Sequence, residues 1–303
     1  MSAHRARAGL AVLALALAAG GCSSEATDGA GAASRSSRLV DFRKDPPFVN
    51  SLDIDPRTRE FLLTTNRGFF RIAPRSGRVR RVRATMTDGG RSAPIGTFLE
   101  ISVAGPDRLL GSGHPDQAGA LPSFLGVIRS DDGGRTWRAV SRLGDADLHK
   151  IVLAHGRMYA FDAVLGALLI SDDGGRTFDE NFTPRELVID FEVDPANARR
   201  VLASTAGQLF RSLDTGHSWR PVDLQEGIRL AWPAPDALYR ALRDGTVQRS
   251  SDGGESWDGA ARVDGEPYKF HAVGPDELYL ALSDGTIMHT TDGARRWEPV
   301  FKP

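Results

Sequence analysis

A nine-residue pattern recurs five times along the chain at a nearly constant spacing. The copies are RSDDGGRTW (129–137), ISDDGGRTF (170–178), RSLDTGHSW (211–219), RSSDGGESW (249–257) and, more loosely, HTTDGARRW (289–297). Their shared aspartates lie 41, 41, 38 and 40 residues apart and are Asp132, Asp173, Asp214, Asp252 and Asp292. A fixed period of roughly 20–50 residues is typical of solenoids and propellers, because each repeat is one unit that stacks on its neighbours. We therefore expect a repeat protein.

The residues around each copy predict four short β-strands. In 187–223, VIDFEVD alternates apolar and polar residues, DPAN forms a turn, and RVLAST and QLFRS supply two further strands. The pattern itself makes the next turn, and WRPVD forms the last strand. Proline or Asp-Gly pairs recur in the hairpins, where they favour tight turns. Each repeat therefore predicts a four-stranded antiparallel meander.

The repeated aspartates are predicted to close a turn. An aspartate at this position can accept hydrogen bonds from the backbone N–H groups that follow it, and the neighbouring glycine supplies the positive φ that such a turn needs. The aromatic residue that ends each copy is expected to pack between neighbouring units. Because one catalytic group is not needed five times around a ring, we interpret all five aspartates as structural.

Six repeats are predicted, since the stretch before the first clear copy has the same order of strands and turns. The units span about 46–84, 85–140, 141–181, 182–222, 223–260 and 261–301. Four-stranded units in this number close into a β-propeller. The predicted fold is an all-β, six-bladed propeller of four-stranded antiparallel blades over residues 39–303. Seven blades is the alternative, in which RLVDFR (38–43) belongs to another blade.

The first 22 residues predict a lipoprotein signal peptide. A basic segment, MSAHRARA, precedes the apolar GLAVLALALAAG, which is too short to span a bilayer as a helix. The segment ends at Cys22, the only cysteine, in a context that resembles the bacterial lipidation signal. An ordinary cleaved signal peptide is the alternative. Residues 23–38 are small and polar, as in a flexible tether, so we expect lipid anchoring outside the cytoplasm, at the cell surface or in the periplasm.

The charge balance excludes a general nucleic-acid binder. The chain has 38 Lys and Arg residues against 39 Asp and Glu residues, so there is no basic field to attract phosphates. No cofactor is predicted, and a monomer is expected. The expected partners are the membrane, through the lipid anchor, and a glycan or envelope protein.

The repeated pattern resembles the Asp-box, or BNR repeat, of sialidase-like β-propellers. Over nearly its whole length the chain also resembles a family of bacterial BNR-repeat lipoproteins that are glycosyl-hydrolase-like. That resemblance is carried by AGPDRLLGSGHPD (104–116), LGVIRSDDGGRTW (125–137) and GDADLHKI (144–151). The family pattern has histidines in the first blade where this chain has FVNSLDID and TTNRGFF. If those histidines form a binding site in the family, this chain lacks some of the residues of that site.

Sialidase chemistry is not predicted for this chain. FRIAP at 70–74 resembles the F/Y-R-I-P motif of sialidases, but it carries the additional Ala73, and Arg71 falls on the third strand of its blade. Tyr239 and Tyr279 occupy the same repeat position, which indicates packing. We therefore predict a non-catalytic scaffold that binds an envelope protein, a glycan or another ligand. A sialidase-related glycoside hydrolase that acts on glycans is the alternative.

Two polar clusters are predicted to meet on the face opposite the repeated aspartates. His114 and Asp116 lie in the longest insertion, after the second strand of the second unit, and Asp147 and His149 lie in the connection to the third unit. Long loops on a rigid scaffold often carry function. We predict that these four residues form a ligand site, with a divalent metal at the two histidines as one option and hydrogen-bonded loop anchors as another. His271 falls on a strand and is interpreted as structural.

Overall fold

The structure describes residues 48–116, 120–184, 186–224 and 229–303. In these residues, β-strand is the only regular secondary structure. The side chains of Leu99 and Ala260 are outside this description. In the computed structural model, the described residues belong to one compact unit. In this part of the chain no helix is long and apolar enough to cross a membrane. The predicted signal peptide, Cys22 and the tether lie outside the described residues.

Within these ranges, 25 strands follow one another in six consecutive units. The first unit contains β1 (Val49–Ile54), β2 (Phe61–Thr65), β3 (Gly68–Ile72) and β4 (Val79–Val82). The second contains β5 (Thr85–Asp88), β6 (Arg91–Gly105), β7 (Arg108–Pro115), β8 (Val127–Ser130) and β9 (Thr136–Ser141). The third contains β10 (Leu148–Ala154), β11 (Arg157–Asp162), β12 (Ala167–Ser171) and β13 (Asp179–Phe182). The fourth contains β14 (Val188–Val193), β15 (Val201–Thr205), β16 (Leu209–Ser212) and β17 (Arg220–Asp223). The last two contain β18 (Arg229–Ala234), β19 (Ala237–Ala241), β20 (Thr246–Ser250), β21 (Asp258–Arg262), β22 (Pro267–Ala272), β23 (Leu278–Leu282), β24 (Ile287–Thr290) and β25 (Glu298–Phe301).

The prediction of six four-stranded blades is wrong for the second unit. Five units are four-stranded antiparallel sheets whose strands pair in chain order, whereas β5 to β9 close on themselves. The additional strand β5 pairs antiparallel with β6 and parallel with β9, where Met86 lies opposite Trp137. The chain is therefore an all-β propeller with five four-stranded blades, and neither six nor seven such blades is correct.

Strand β6 causes this closure, because it is long enough to pair along both edges. Its first residues pair with β5, and the stretch from Ile95 onward pairs with β7. Its register shifts near Ile95, Phe98 and Val103, and such bulges bend a strand and increase its twist. Inside the closed unit the rings of Phe98 and Trp137 pack with their centroids 5.1 Å apart. A bulge has no strong sequence pattern, so the closure was not predicted.

The innermost strands join the six units into a closed ring. Strands β1, β6, β10, β14, β18 and β22 each contact the next, and β22 contacts β1. The hydrophobic core lies between neighbouring units. Where the ring closes, for example, Phe61 of the first unit packs against Tyr279 of the last, with ring centroids 5.5 Å apart. Polar side chains also link inner strands, as where Asp53 accepts a hydrogen bond from the Val103 N–H at 2.8 Å.

Each repeated turn is held by the aspartate of the pattern. In Asp173, Oδ1 accepts the N–H groups of Arg176 and Thr177 at 2.9 and 3.0 Å, and Oδ2 accepts the Thr177 hydroxyl at 2.8 Å. Equivalent hydrogen bonds from the residues that follow are accepted by Asp132, Asp214, Asp252 and Asp292. The hydrogen bonds from Thr177 hold the pKa of Asp173 well below its usual range. In Asp214 the hydroxyl and N–H of Ser218 lower the pKa to about 2.

We expect Asp173→Ala to lower the melting temperature by a few degrees, because the turn loses its backbone acceptor. The neighbouring Asp172→Ala is a matched control, since Asp172 forms only an exposed ion pair with Arg157, and such pairs contribute little. Thermal unfolding followed by circular dichroism measures both variants. Equal melting temperatures for Asp173→Ala and the wild type would contradict the structural role.

The same experiment has a predicted pH dependence. A carboxyl group whose pKa is lowered by folding stabilises the protein above its ordinary pKa, and this stabilisation is lost as the pH falls through the folded-state pKa. The difference between wild type and Asp173→Ala should therefore be full at pH 6 and shrink below about pH 4. A difference that does not change with pH would show that the ionised carboxylate is not what stabilises the turn.

Candidate functional site

His114 is positioned by the closed second unit. It lies near the end of β7, and its Nδ1 donates a hydrogen bond to the Ser123 carbonyl oxygen at 2.7 Å. In the neutral ring this leaves Nε2 without a proton. The ring packs against Phe124, with centroids 5.7 Å apart. The preceding Gly113 permits close approach of β6, because a Cβ atom there would lie 2.2 Å from the Thr97 carbonyl oxygen.

Asp147 and His149 are positioned by the start of β10. The Asp147 N–H donates to the buried Asp162 Oδ1 at 3.2 Å, and the Leu148 N–H donates to Ser112 Oγ at 3.3 Å. These two hydrogen bonds tie the start of the strand to its own sheet and to the preceding unit. The side chain of His149 is 48% exposed, so the cluster is open to solvent on this side.

The structure brings three of the four predicted residues together. Oδ1 of Asp147 lies 3.6 Å from Nε2 of His114, and Oδ2 lies 3.2 Å from Nε2 of His149. Asp116 is exposed, and its N–H donates to the Pro94 carbonyl oxygen at 3.0 Å. Within the described residues, no contact joins the Asp116 carboxylate to the other three side chains. The two histidines therefore share the single carboxylate of Asp147.

The geometry of this cluster suits hydrogen bonding and charge pairing. Oδ1 of Asp147 is buried and has no hydrogen-bond donor among the described atoms, because His114 directs its Nδ1 proton to a carbonyl oxygen. In the described ranges, no group of three or more His, Cys, Asp or Glu side chains is arranged to hold a metal ion. The arrangement of these side chains suits polar contacts with a ligand.

A second candidate site is a cavity of 270 Å³ on the axis of the ring. It is lined by residues from all six innermost strands. The charged and titratable side chains in its wall are Asp53, Glu100, Lys150, Glu192 and His271, and the aromatic ones are Trp232 and Phe270. The cavity follows β10 from Lys150 onward, whereas the histidine cluster lies at the start of that strand. The two candidate sites are therefore neighbouring but separate.

Lys150 is the central cation of this cavity. Its Nζ lies 2.9 Å from Oδ1 of Asp190 and 3.2 Å from Oε1 of Glu192. Asp190 also accepts the N–H groups of Phe191 at 2.9 Å and Leu230 at 3.1 Å. Burial would raise the pKa of Asp190, but the positive charges of Lys150, Arg229 and Lys269 hold it below its usual range. Burial raises the pKa of Glu192 to about 7, despite the attraction of Lys150.

Glu100 is the most perturbed carboxyl group in the cavity. Its residue is only 6% exposed, and this burial raises its pKa to about 8 despite the attraction of Lys269 and Lys150. Burial likewise lowers the pKa of Lys269. It also lowers the pKa of His271, although Asp53 Oδ1 lies 3.5 Å from its Nε2. In the empty cavity, neutral forms of Glu100 and His271 are favoured near pH 7.

The sequence prediction missed this cavity, although a pattern was available. The innermost strands carry charged or titratable residues two positions apart around a buried apolar residue, as in Asp-Phe-Glu at 190–192 and Lys-Phe-His at 269–271. On a β-strand, residues two apart point to the same side. Charges that repeat on the inward side of innermost strands indicate a polar channel. His271, interpreted from the sequence as structural, lines this channel.

The residues that resemble sialidase motifs have structural contacts. Arg71 lies on β3, buried, and pairs with Asp55 and with Glu60 at 2.7 Å. Tyr239 is also buried, and its hydroxyl donates to the Pro275 carbonyl oxygen at 2.7 Å. These contacts agree with the packing roles predicted from the sequence.

Comparison with known proteins supports the fold more strongly than any function. No protein-family model matches the chain. A stretch of 150 residues is 31% identical to the dispase autolysis-inducing protein of Streptomyces mobaraensis, and it covers 46% of this chain and 37% of that protein. The chain therefore spans well under two thirds of this relative's length.

Solved structures of similar architecture are β-propellers. YCF48 bound to a D1 peptide matches with a TM-score of 0.57 at 14% identity, covering 81% of this chain and 93% of that one. An ancestral GH74 enzyme matches with a TM-score of 0.52 at 13% identity, covering 80% and 36%. The extracellular domain of a putative one-component system from B. thetaiotaomicron matches with a TM-score of 0.51 at 11% identity, covering 80% and 38%. The fold is that of a β-propeller. At these identities the likeness extends to the fold alone.

Proposed function

We propose that this chain is a lipid-anchored, extracytoplasmic β-propeller that binds a polypeptide of the cell envelope. The observation that carries the proposal is the solvent-open cluster in which His114 and His149 share Asp147. Its residues come from two units and are held by hydrogen bonds to Ser123, Asp162 and Ser112, so the cluster is a preorganised polar surface on a rigid scaffold. Rigid scaffolds that present polar side chains from loops are suited to recognition.

A polypeptide ligand is favoured over a glycan by what the similar proteins are called. One structural neighbour is YCF48 bound to a D1 peptide. The sequence relative is named for inducing the autolysis of dispase. Imidazole rings and a carboxylate can donate to and accept from peptide groups and polar side chains. These names and this chemistry support peptide binding as the first hypothesis to test.

Replacing both His114 and His149 by alanine should weaken peptide binding at least about tenfold, because two of the exposed polar contacts are removed. The probe is a peptide array, and peptides that bind the wild type are then measured by calorimetry against each variant. His217→Ala is the matched control, since His217 is an exposed histidine in a repeated turn, away from the cluster. Unchanged affinity in the double variant, with folding intact, would remove the cluster as the binding site.

The runner-up function is glycoside hydrolysis, and one observation favours it. Glu100 and Glu192 line one cavity, and burial raises their pKa values to about 8 and about 7. A glycosidase needs one carboxyl group that stays protonated as a general acid and a second that is ionised. Release of reducing sugar from glycans, abolished by Glu192→Gln, would favour the enzyme. Against it, Glu192 is already paired with Lys150.

Lipid anchoring through Cys22 is part of the proposal and has its own test. The support is the apolar segment that ends in small residues at the only cysteine. Cys22→Ser should move the protein from the membrane fraction to the soluble fraction, because stable anchoring of this kind depends on the attached acyl chains. Cell fractionation and immunoblotting measure the distribution. A Cys22→Ser variant that stays with the membrane like the wild type would rule out this anchor.

A further inference from the structure

Glu100 stands apart from the other carboxylates around the axial cavity. Its residue is 6% exposed and lines the cavity, and in the described ranges its carboxyl group forms no hydrogen bond or ion pair. Its oxygens are not among the fully buried side-chain atoms that lack a hydrogen-bond partner, so they are open to the cavity. A buried carboxyl group that faces an open cavity is therefore suited to a ligand that donates hydrogen bonds.

The other charges in the cavity wall are already compensated. Lys150 is held between Asp190 and Glu192. The carboxylate of Asp53 accepts two backbone N–H groups, at 2.6 and 2.8 Å, and lies near His271. In the described part of the chain, the Glu100 carboxyl has no comparable ion pair or backbone donor.

The electrostatic surroundings of Glu100 come from four other innermost strands. Asp53 on β1 and Asp190 on β14 disfavour its ionised form, whereas Lys150 on β10 and Lys269 on β22 favour it. Lys269 exerts the largest of these attractions, and Glu100 in turn favours the charged form of Lys269 against the effect of burial. Burial outweighs this attraction, so the neutral form of Glu100 is favoured until a further cation enters the cavity.

The size and walls of the cavity limit the ligand. A volume of 270 Å³ is just below the range of about 300–1,000 Å³ that holds drug-sized ligands. It accommodates one side chain or head group, and it is too small for several sugar units. Val152 and Leu153, which are less buried than the core residues, contribute aliphatic surface to the wall.

We propose that the axial cavity binds a primary ammonium or guanidinium group on an apolar stem, with Glu100 as its counter-ion. The ligand is either a lysine or arginine side chain of a partner polypeptide or a free alkylamine. The site uses none of the residues of the histidine cluster, so it does not depend on the proposed peptide surface.

Binding at this site replaces the proton on the Glu100 carboxyl group by the positive charge of the ligand. Burial raises the pKa of Glu100 well above its usual range, so its protonated form is favoured near pH 7 before a ligand binds. An alkylammonium ion, whose own pKa is near 10.4, arrives charged and stabilises the carboxylate. The Glu100 proton then leaves to solvent, so that nearly one proton is released for each ligand bound at pH 7. Affinity should rise as the pH increases from 6 towards 8.5, because less work is needed to remove that proton.

Calorimetry on the full chain tests this with three probes: n-butylammonium, N-acetyl-lysine methylamide and n-butyrate. The two ammonium compounds should bind and butyrate should not. Binding of the lysine derivative alone would identify a polypeptide side chain as the source, and binding of butylammonium alone would identify a free amine. Titration in two buffers of different ionisation enthalpy measures the released proton. If neither ammonium compound binds, or if butyrate binds better, the proposal is wrong.

Glu100→Gln is the decisive variant, since it keeps the shape and removes the charge. It should bind butylammonium roughly 10- to 100-fold more weakly and release no proton. Glu298→Gln is the matched control, because Glu298 is exposed on the outermost strand β25, and its affinity should equal that of the wild type. Melting curves establish that both variants fold. Equal affinity of Glu100→Gln and wild type would overturn the assignment, whereas unchanged ammonium binding in the His114/His149 double variant would separate it from the peptide surface.

Discussion

Replacement of Lys150 by methionine is expected to lower the free energy of unfolding by about 3–5 kcal/mol. The ammonium group lies 2.9 Å from the Asp190 carboxylate and 3.2 Å from that of Glu192, and all three side chains are largely buried. Without it, two carboxylates remain in the channel with no direct counter-ion. Methionine has a similar length, so the loss reports the missing charge and not a new cavity. Urea denaturation at pH 7.5 measures the effect.

The loss of stability in Lys150→Met should depend on pH, and the direction of this dependence identifies the unpaired carboxylates as its cause. Burial already raises the pKa of Glu192 to about 7 with Lys150 present, and removal of the cation raises it further. A carboxyl group with a raised pKa destabilises the fold above its ordinary pKa. In the wild type this cost is already present up to about pH 7, so the Glu192 part of the deficit should grow as the pH rises above about 7.

Lys302→Met provides the control for this experiment. Lys302 is an exposed lysine just after β25, and its replacement should change stability by less than about 0.5 kcal/mol. A Lys150→Met variant as stable as the wild type at pH 7.5 would mean that the channel carboxylates do not need this cation. A large deficit in both variants would mean that the loss has a cause other than the buried charge.

The second large effect is expected for Gly113→Ala, with a loss of about 2–3 kcal/mol. An added Cβ atom would lie 2.2 Å from the Thr97 carbonyl oxygen and 3.0 Å from the Phe98 Cα. Both are backbone atoms of β6, so neither can rotate away. Strand β7 would have to separate from β6 where β6 bulges, which opens the closed unit and displaces the adjacent His114. Denaturation and peptide affinity should both be affected.

Gly259→Ala is the matched control for this substitution. Gly259 is also a strand glycine without a positive φ, but it is exposed, and nothing lies within 4 Å of an added Cβ atom. Its replacement should leave stability unchanged or raise it slightly, because glycine in a strand has a high conformational entropy to lose on folding. If the two variants unfold at the same urea concentration, close packing of β7 against β6 does not govern stability.

Much of the fold was predictable because its information is local. The hydrogen bonds of Asp173 reach only as far as Thr177, so nine residues of sequence contain both partners of the turn. The strands of a blade follow one another through short hairpins, so their pairing order can be predicted from alternating polarity and turn residues. The proximity of His114 and Asp147 also followed from chain order, since both lie at the boundary between the second and third units.

The tertiary structure decided what depends on residues far apart in the chain. The parallel pairing of Met86 with Trp137 joins strands that no hairpin connects, and no periodicity predicts it. Strand β6 decided that Asp116 lies outside the histidine cluster, because the Pro94 carbonyl oxygen accepts a hydrogen bond from the Asp116 N–H.

For the axial channel too, the strands were predictable from neighbouring residues, but the cavity was not. That Glu100, Lys150 and His271 lie on strands is determined by sequence, because alternation is a property of neighbouring residues. That they line one cavity is decided only when the ring closes and brings strands β6, β10 and β22 around one axis. The raised pKa of Glu100 follows from this closure, because burial requires walls from several strands at once. The sequence by itself determined the repeats, the turns and the strands. The tertiary structure decided the closed second unit and the charged channel, because both depend on contacts between residues that no local pattern relates.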